Sequence, residues 1–427
     1  MAFFERKTKK STSTHRRSLV SACALCCTTK TDDKRSKNTE RPTPIPVSGN
    51  GDKKILLIRD QPTNHNNLSQ NWFARSGRTL SLIGNALVNA DIEPEQDCWM
   101  TGAVLCHGKK QTTAAMECCL PNLNRTIQQL RPKLIIPIGE LATHAVLSFL
   151  WHDNSLGDMF RFFGWQIPVE KWNAWLCPVY DSAYIMSLGY KNQSNTDTPT
   201  GTGVVAYFWL EKHIKAAVAK LNESPIADVT QKESTQLLYD AETINETLDR
   251  ISNYNKGYAV FDYEANCLKP EVEGAKVLCA SVCLGGWNKV WKSIAFPMSS
   301  DVVPAWKRFL QSPIAKVAQN CKFEDRWSNV YFKTPVNNWV GDTLLNTHIL
   351  DCRGGITGLK FQTAVNFGVM GYDDATKPYM EGGVGKLNRL HLVPVEILLR
   401  YCGCDTFYTW RLFVKQMREF GQKPYWE

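Results

Sequence analysis

The chain has 427 residues, which predicts two or three domains, and 43% of them are hydrophobic, enough for sizeable cores. Its formal charge of +9 favours a polyanionic partner, with nucleic acid and an acidic membrane surface both open on this ground. No run of about eighteen uncharged apolar residues occurs, and the basic N-terminus has no apolar segment after it, so neither a membrane span nor a signal peptide is predicted. We therefore expect a cytoplasmic protein whose fifteen cysteines are thiols or metal ligands rather than disulfides.

The first half alternates between strands and helices. Residues 1–17 are a basic tail, predicted to be mobile, and the alternation runs from about residue 18 to 220. The runs "KILLIRD" and "KLIIPIG" are typical of buried strands and "DCWMTGAVLC" of an extended segment, whereas "RTLSLIGNALVNADI", "AAMECCLPNLNRTIQQLRP" and "ELATHAVLSFL" have helical spacing. This order predicts a parallel α/β sheet.

A second α/β unit follows a polar stretch, residues 221–235, that lacks apolar periodicity and is predicted to be a linker. "QLLYD" and "AETINETLDRISN" begin the unit. The segments "GYAVFDYE", "AKVLCASVCLGG" and "KVWKSIAFPM" predict three successive strands, and helices continue toward residue 427.

Two carboxylates end the first of these strands. Asp262 and Glu264 lie two residues apart, so their side chains point to the same side of the strand. Like charges repel there, and burying them is costly unless a positive group, such as a metal ion, compensates. The alternative is a strand that runs out into a solvated acidic loop.

Two further acidic motifs lie downstream. "NCKFE" supplies Asn320, Lys322 and Glu324 where a predicted strand leads into a helix. Tyr401 and Asp405 are four residues apart on a predicted helix, hence on one face. Three motifs in this order favour a shared site over separate surface charges.

With these motifs, residues 236–427 resemble the 3′–5′ exonuclease domain of DNA polymerase I-like enzymes, in the DEDDy group of the ribonuclease H-like superfamily. The family's Asp-x-Glu is "DYE" here, its Asn-x-Lys-(Phe/Tyr)-Asp is "NCKFE", and its Tyr-x-x-x-Asp is "YCGCD". The intervening "GLK" is similar to the family's Leu-Lys segment. Glu324 stands where the family has aspartate, and Asp325 next to it is a possible substitute.

The resemblance implies a site with two Mg²⁺ or Mn²⁺ ions, hard cations that prefer carboxylate oxygen. Two such ions about 4 Å apart make a water nucleophilic and stabilise the leaving oxyanion. By resemblance, Asp262 would bridge both ions, and Glu264 and Asp405 would hold the ion that generates hydroxide. Glu324 would support the other ion through water, and Tyr401 would orient the attacking water.

Cysteines in the first half have spacings that suit a metal. The order Cys23-x-x-Cys26, then Cys106, then Cys118 and Cys119 fits either a zinc site or an iron–sulfur cluster held by four thiolates. Chance spacing among fifteen cysteines is the alternative.

Residues 18–220 resemble family 4 uracil-DNA glycosylases, which carry a 4Fe–4S cluster. "CCLPNL" resembles the Cys-x-Pro-x-Leu of that family, and "RPKLIIPIGELATHAVL" matches Pro-Lys-(apolar)-Leu-Gly-x-x-Ala. The resemblance implies a parallel-sheet α/β/α domain, with Cys23, Cys26, Cys106 and Cys119 as cluster ligands. The expected architecture is this domain followed by the ribonuclease H-like exonuclease domain.

The residues of the glycosylase site differ from the family's. Asp60 replaces the water-activating glutamate, Gly102 stands for the uracil-reading asparagine, and Asp181 replaces the histidine, while Phe73 is retained for stacking. Lost transition-state donors are worth about 3 kcal/mol each, and Asp181 would repel the uracil anion. We expect a retained fold with lost or altered chemistry that serves DNA binding or assembly.

The sequence thus predicts a metal-dependent 3′–5′ DNA exonuclease that acts on a single-stranded or frayed 3′ end, with a glycosylase-like Fe–S module. DNA contacts are expected at Asn320, Lys322, Arg75, Arg78 and the basic tail. Because no polymerase segments are recognisable, the interpretation is the proofreading part of a polymerase I-type replication system, in a phage or other virus, that works with a separate polymerase subunit in the host cytoplasm. Three alternatives stay open: a bifunctional repair enzyme, a non-catalytic DNA-binding or assembly factor, and a ribonuclease D-like enzyme acting on RNA.

Overall fold

The computed structural model describes residues 44–74, 79–107, 113–151, 156–190, 202–225, 235–254, 257–285, 290–382 and 385–422. The predicted tail and most of the predicted linker lie outside these ranges, as do Cys23, Cys26, Arg75 and Arg78. The chain divides into two compact units: one comprises Met1–Phe149 and Cys177–Asn222, and the other comprises Leu150–Leu176 and Glu223–Glu427.

Three parallel strands form the centre of the first unit: β1 (Ile55–Arg59), β2 (Cys98–Gly102) and β3 (Leu134–Ile138). β1 lies between the other two, with Ile55 opposite Cys98 on one side and Leu134 on the other. Every residue of β3 is buried, as expected when helices cover both faces of a parallel sheet. The predicted parallel α/β fold is confirmed.

The helices of the first unit are α1 (Asn64–Ser69), α2 (Thr79–Val88), α3 (Pro94–Asp97), α4 (Thr113–Leu130), α5 (Glu140–Leu147), α6 (Ser182–Ser187) and α7 (Thr202–Ala219). The sequence predicts α2, α4 and α5, and it does not single out the other four. A capping box begins α1, because Thr63 and Asn66 satisfy each other's backbone N–H groups.

The second unit contains an antiparallel hairpin and a six-stranded mixed sheet. The hairpin joins β4 (Ile167–Val169) to β5 (Ala174–Leu176). The sheet has the order β11-β10-β7-β8-β9-β6. Its strands are β6 (Thr235–Leu237), β7 (Tyr258–Ala265), β8 (Val277–Gly285), β9 (Val290–Pro297), β10 (Ala315–Ala318) and β11 (Trp339–Asp342). The three predicted successive strands are the antiparallel β7, β8 and β9, whereas β6, β10 and β11 run parallel to their neighbours.

Helices cover both faces of this sheet: α8 (Ala241–Ser252), α9 (Val303–Gln311), α10 (Cys321–Val330), α11 (Thr343–Leu350), α12 (Leu359–Phe367) and α13 (Val395–Glu419). On one face Phe261 of β7 packs with Trp306 and Phe309 of α9. On the other, Val260 of β7 packs with Phe407 of α13. None of the helices in the described part of the chain has the length and apolar character needed to span a membrane.

Candidate metal centre and glycosylase-like pocket

The acidic pair of β7 belongs to the face of the strand that is turned toward α13. Phe261 and Tyr263 are part of the core on the opposite face, so the residues that alternate with them, Asp262 and Glu264, point toward α13. Ligand atoms of Asp262, Glu264 and Cys402 all lie within 4.8 Å of one another. The structure thus brings together the two carboxylates that the sequence places on one side, and it adds a thiol.

Glu324 joins this cluster from the first turn of α10. Its side chain is 2% exposed and hydrogen-bonds with the carboxyl group of Asp262. Its Oε2 has no hydrogen-bond partner within the described residues. Asp325 is engaged elsewhere, since its Oδ1 accepts a hydrogen bond from Trp339 Nε1 at 3.1 Å. Glu324, rather than its neighbour, therefore faces the carboxylates of β7.

Asp405 enters from α13 and is held by two residues that the sequence analysis does not assign. Lys360 of α12 forms an ion pair with Asp405 Oδ1, and Tyr372 donates a hydrogen bond to the same oxygen at 2.7 Å. Lys360 Nζ also lies 4.2 Å and 4.4 Å from the ring centroids of Tyr372 and Tyr401. Tyr401, predicted to share a helix face with Asp405, is buried beside it.

Lys360 compensates the charge of the carboxyl groups of the cluster only in part. Burial, then repulsion by Asp405, raises the pKa of Asp262 to about 7, and Lys360 opposes the rise. Burial, then repulsion by Asp262, also raises the pKa values of Glu264 and Glu324. A divalent cation would supply the missing charge and favour the ionised forms.

These residues fit a hard divalent cation. Carboxylate oxygens from Asp262, Glu264, Glu324 and Asp405 are the donors that Mg²⁺ and Mn²⁺ prefer. The free Oε2 of Glu324 is a buried acceptor that needs a partner. The buried carboxylates also repel one another, and a positively charged partner would relieve this repulsion.

Asn320 and Lys322 flank the start of α10, and both are exposed. Asn320 adopts a left-handed conformation with φ of 66°. Its backbone N–H and that of Cys321 each donate to the carboxylate of Asp342 at 3.0 Å. Asp342 also caps α11 through the N–H of Leu344 at 2.9 Å. Asp342 thus holds the backbone of this turn, whose two exposed polar side chains lie within four residues of Glu324 in the chain.

Asp60 and Asp181, two of the predicted glycosylase-pocket residues, interact with each other and with Arg59. Asp60 Oδ1 accepts a hydrogen bond from the backbone N–H of Ala142 at 2.7 Å. Burial raises the pKa of Asp60 to about 7, with repulsion by Asp181 adding to the rise and Arg59 opposing it. Burial likewise raises the pKa of Asp181. Two buried carboxyl groups therefore interact with one arginine here.

The place of a side chain at Gly102 is filled by a tryptophan. A Cβ atom added to Gly102 would lie 2.3 Å from Cη2 of Trp72 and 2.6 Å from the carbonyl oxygen of Val104. Trp72 is fully buried. An asparagine cannot stand at residue 102 in this backbone, so the glycine is required by packing. Phe73, the predicted stacking residue, lines a cavity of about 780 Å³ together with Met100.

The described cysteines leave the predicted cluster untested. Cys106 and Cys119 are both buried, and Cys118 is partly exposed. Their two predicted partners lie outside the described residues. Among the residues that the structure describes, the only set of three side chains placed to share one metal ion is Asp262, Glu264 and Cys402.

Residues 46–198 match the family model of the uracil DNA glycosylase superfamily. The predicted glycosylase-like domain is thereby confirmed at the level of the superfamily. Comparison with curated protein sequences gave no match.

The chain is also similar in structure to several solved proteins. These include Trypanosoma brucei RNase D in complex with GMP (13% identity, TM-score 0.34, 43% of this chain and 56% of that one). Escherichia coli RNase D, an exoribonuclease involved in structured RNA processing, aligns at 12% identity and TM-score 0.33 over 44% of this chain and 45% of that one. The POL domain of Pol1 from M. smegmatis, with DNA primer-template and dNTP, aligns at 10% identity and TM-score 0.28 over 44% of this chain and 28% of that one. The chain spans about half the length of the two RNase D structures. No activity follows for this chain from such similarity.

Sequence reasoning missed four residues that shape these two sites. Lys360 lies in the "GLK" segment, which matched the family pattern but carried no assigned role. Cys402 sits inside the motif "YCGCD", where only Tyr401 and Asp405 were singled out. Neither Tyr372 nor Trp72 has a local signal, because each acts through a contact with a residue about thirty positions away.

Proposed function

We propose that residues 236–427 form a metal-dependent 3′–5′ exodeoxyribonuclease that acts on a single-stranded or frayed 3′ end. The observation that carries this proposal is the convergence of buried carboxylates. Ligand atoms of Asp262 and Glu264 lie within 4.8 Å of each other, and the carboxyl group of Glu324 hydrogen-bonds with that of Asp262. Asp405 acts electrostatically on both residues of β7. Four carboxylates from three remote segments therefore converge at one end of the sheet.

The four carboxylates would hold two Mg²⁺ or Mn²⁺ ions. Such ions make a water nucleophilic and stabilise the oxygen that leaves a phosphodiester. Lys360 and Tyr372 fix the carboxylate of Asp405 in one orientation, which is a positioning role. Tyr401 lies buried beside the same carboxylate and would orient the attacking water. Asn320 and Lys322 would contact the nucleic acid.

The first unit, in this proposal, keeps the glycosylase fold for DNA binding or assembly and has lost base excision. Trp72 excludes an asparagine at residue 102, so no amide there can pair with the edge of a uracil. Asp181 would repel the negative charge that develops on a departing base. The basic residues expected to contact DNA include Arg75 and Arg78. A 4Fe–4S cluster on Cys23, Cys26, Cys106 and Cys119 remains part of the proposal.

The biological setting that we propose is proofreading in a polymerase I-type replication system, such as that of a phage, with a separate polymerase subunit. Co-purification of the chain with a polymerase from its native cell, and a raised mutation rate on deletion, are the expected results. Purification without a polymerase, together with unchanged replication fidelity, would contradict the setting and leave the nuclease chemistry intact.

A nuclease assay tests the chemistry directly. DNA labelled at its 5′ end is incubated with the full chain in Mn²⁺ and is expected to shorten from the 3′ end. Glu324→Gln should lower the rate about 10- to 100-fold, because it removes the charge of a carboxylate that supports one metal ion. Asp325→Asn is the matched control, since that carboxylate contacts Trp339 instead, and its rate should match the wild type.

The same assay discriminates among the alternatives. Equal rates for Glu324→Gln and wild type, or a lack of any metal-dependent shortening, would refute the nuclease proposal. Faster digestion of an RNA strand of the same sequence would change the substrate to RNA. Alkali-labile sites in a uracil-containing strand would restore the bifunctional repair hypothesis.

A further inference from the structure

The acidic cluster contains a sulfur atom. Cys402 is fully buried on α13, and its Sγ lies 3.9 Å from Oδ2 of Asp262 and 3.8 Å from the backbone oxygen of the same residue. Sγ also lies 3.2 Å from Oγ of Ser281. One carboxylate oxygen of Asp262, one of Glu264 and this sulfur are all within 4.8 Å of one another. The thiol thus borders the two carboxylates from a place in the apolar cluster that also contains Cys279 and Leu399.

A second observation points to a ligand at this cluster. Glu324, 2% exposed, meets Asp262 through its carboxyl group, yet its Oε2 is without a hydrogen bond within the described residues. A buried, unpaired carboxylate oxygen is costly unless a positive group satisfies it. Glu324 is connected to the set of Asp262, Glu264 and Cys402 by its hydrogen bond with Asp262.

The donor chemistry selects the kind of cation. Sulfur adds little for Mg²⁺, which prefers oxygen donors, whereas Zn²⁺ and Cd²⁺ bind thiolate and carboxylate together. Two donors of a tetrahedral Zn²⁺ site are separated by about 3.6 Å, given bonds of about 2.0–2.3 Å. The 3.9 Å between Sγ of Cys402 and Oδ2 of Asp262 is close to that separation. Small side-chain rotations would complete the geometry.

We propose that Cys402, Asp262 and Glu264 form a site for a thiophilic divalent cation, Zn²⁺ or Cd²⁺, that overlaps the site for Mg²⁺ or Mn²⁺. The thiol proton passes to solvent as the sulfur–metal bond forms. Because both kinds of cation use Asp262 and Glu264, zinc excludes the activating metal and switches the nuclease off. This regulatory consequence rests on the proposed nuclease function, whereas the binding of the cation does not.

Cadmium binding to the full chain tests the site itself. Thiolate–Cd²⁺ bonds give a charge-transfer band in the ultraviolet, which is titrated in the wild type, Cys402→Ala and Cys404→Ala. Cys404 is the matched control, because it is equally buried on the same helix, also within an apolar cluster, but is not grouped with Asp262 and Glu264. Cys402→Ala should bind one Cd²⁺ fewer than the wild type, and Cys404→Ala should bind the same number.

Equal stoichiometry in the wild type and Cys402→Ala would overturn the site. If Cys402→Ala and Cys404→Ala each bound one Cd²⁺ fewer, the proposed site would be overturned as well, because the loss would then reflect disturbed packing of α13. Thermal unfolding of each variant is measured in parallel, and Cys402→Ser, which keeps the side-chain volume, should repeat the loss seen with alanine.

Inhibition by zinc tests the consequence. The Zn²⁺ concentration that halves the Mn²⁺-supported rate, measured relative to each variant's own rate, should be at least tenfold higher in Cys402→Ala than in Cys404→Ala. Equal values would overturn the inhibitory role. If the wild type lacks nuclease activity but Cys402→Ala still binds one Cd²⁺ fewer, only the proposed function is refuted. If the wild type is an active nuclease but Cys402→Ala binds as much Cd²⁺ as the wild type, only the site is refuted.

Discussion

Lys360 of α12 forms an ion pair with Asp405 of α13, on the same oxygen that accepts a hydrogen bond from Tyr372. The lysine pairs with one of the four carboxylates, and it opposes the rise in the pKa values of Asp262 and Glu264. It therefore supplies part of the charge that a metal ion would supply. Lysine and metal compete for Asp405.

Replacing Lys360 tests this competition. In Lys360→Met the ammonium group no longer occupies Asp405, so the metal should bind more tightly while Asp405 loses its fixed orientation. A partly exposed ion pair is worth about 1 kcal/mol, so the Mn²⁺ concentration for half-maximal rate should fall about fivefold. The maximal rate should fall as well. Lys415→Met, which removes an exposed lysine paired with Glu419, is the control and should change neither quantity. A higher Mn²⁺ requirement in Lys360→Met would contradict the competition.

Asp262 predicts how the stability of the metal-free protein depends on pH. Its pKa is raised from the ordinary 3.8 to about 7 by burial and by Asp405, so the folded chain holds this proton more tightly than the unfolded chain. The cost of ionising the buried group is absent below about pH 4, grows as the pH rises, and is complete above about pH 7.

The measurement is urea unfolding with a chelator present. Relative to the wild type, Asp262→Asn should be more stable at pH 8 than at pH 5, since asparagine has no proton to lose. Adding Mn²⁺ at pH 8 should reverse the order, because only the wild type keeps the full metal site and is stabilised by binding. A difference in unfolding free energy that does not change with pH would refute this account.

We predict different effects on stability for alanine substitutions at Gly102 and at Gly84. Gly102→Ala would press a Cβ against Trp72, and overpacking of this kind costs about 1–3 kcal/mol of unfolding free energy. Gly84 lies within α2 with no atom near the added Cβ, so Gly84→Ala should be neutral or stabilising by up to about 1 kcal/mol. Urea unfolding of both variants measures the contrast. A harmless Gly102→Ala would mean that Trp72 moves aside, and an asparagine there would again be possible.

We predict that Arg353 tethers the segment Leu150–Leu176 of the second unit. Its guanidinium donates to the carbonyl oxygen of Phe163 at 2.7 Å and pairs with Asp351 at 2.7 Å. Arg353→Ala would leave that carbonyl without its charged donor, at a cost of about 1–3 kcal/mol. Proteolytic cleavage within 150–176 should accelerate accordingly.

A surface arginine is the control for this tether. Arg308 pairs with Asp249 where both side chains are about half exposed, so Arg308→Ala should cost less than about 1 kcal/mol. Equal protease sensitivity of Arg353→Ala and Arg308→Ala would show that the tether does not hold the segment.

Local periodicity was enough to predict several of these features. The two-residue repeat of β7 fixes Asp262 and Glu264 on one side, and the helical repeat of α13 puts Asp405 one turn after Tyr401. Apolar runs marked β1 and β3, because parallel strands buried on both faces have no polar positions. The hairpin β4–β5 gave no comparable signal, since each of its strands has only three residues.

The order of the elements, the two acidic residues of β7 and the shared helix face of Tyr401 and Asp405 follow from the sequence alone, because backbone geometry repeats over a few residues. Which partner each side chain meets was decided only by the tertiary structure. Every residue of α13 from Tyr401 to Trp410 is buried, so the pattern does not show that Cys402 faces Asp262. Lys360 on Asp405 and Trp72 on Gly102 are contacts between segments distant in the chain, and only the packing of the folded units creates them.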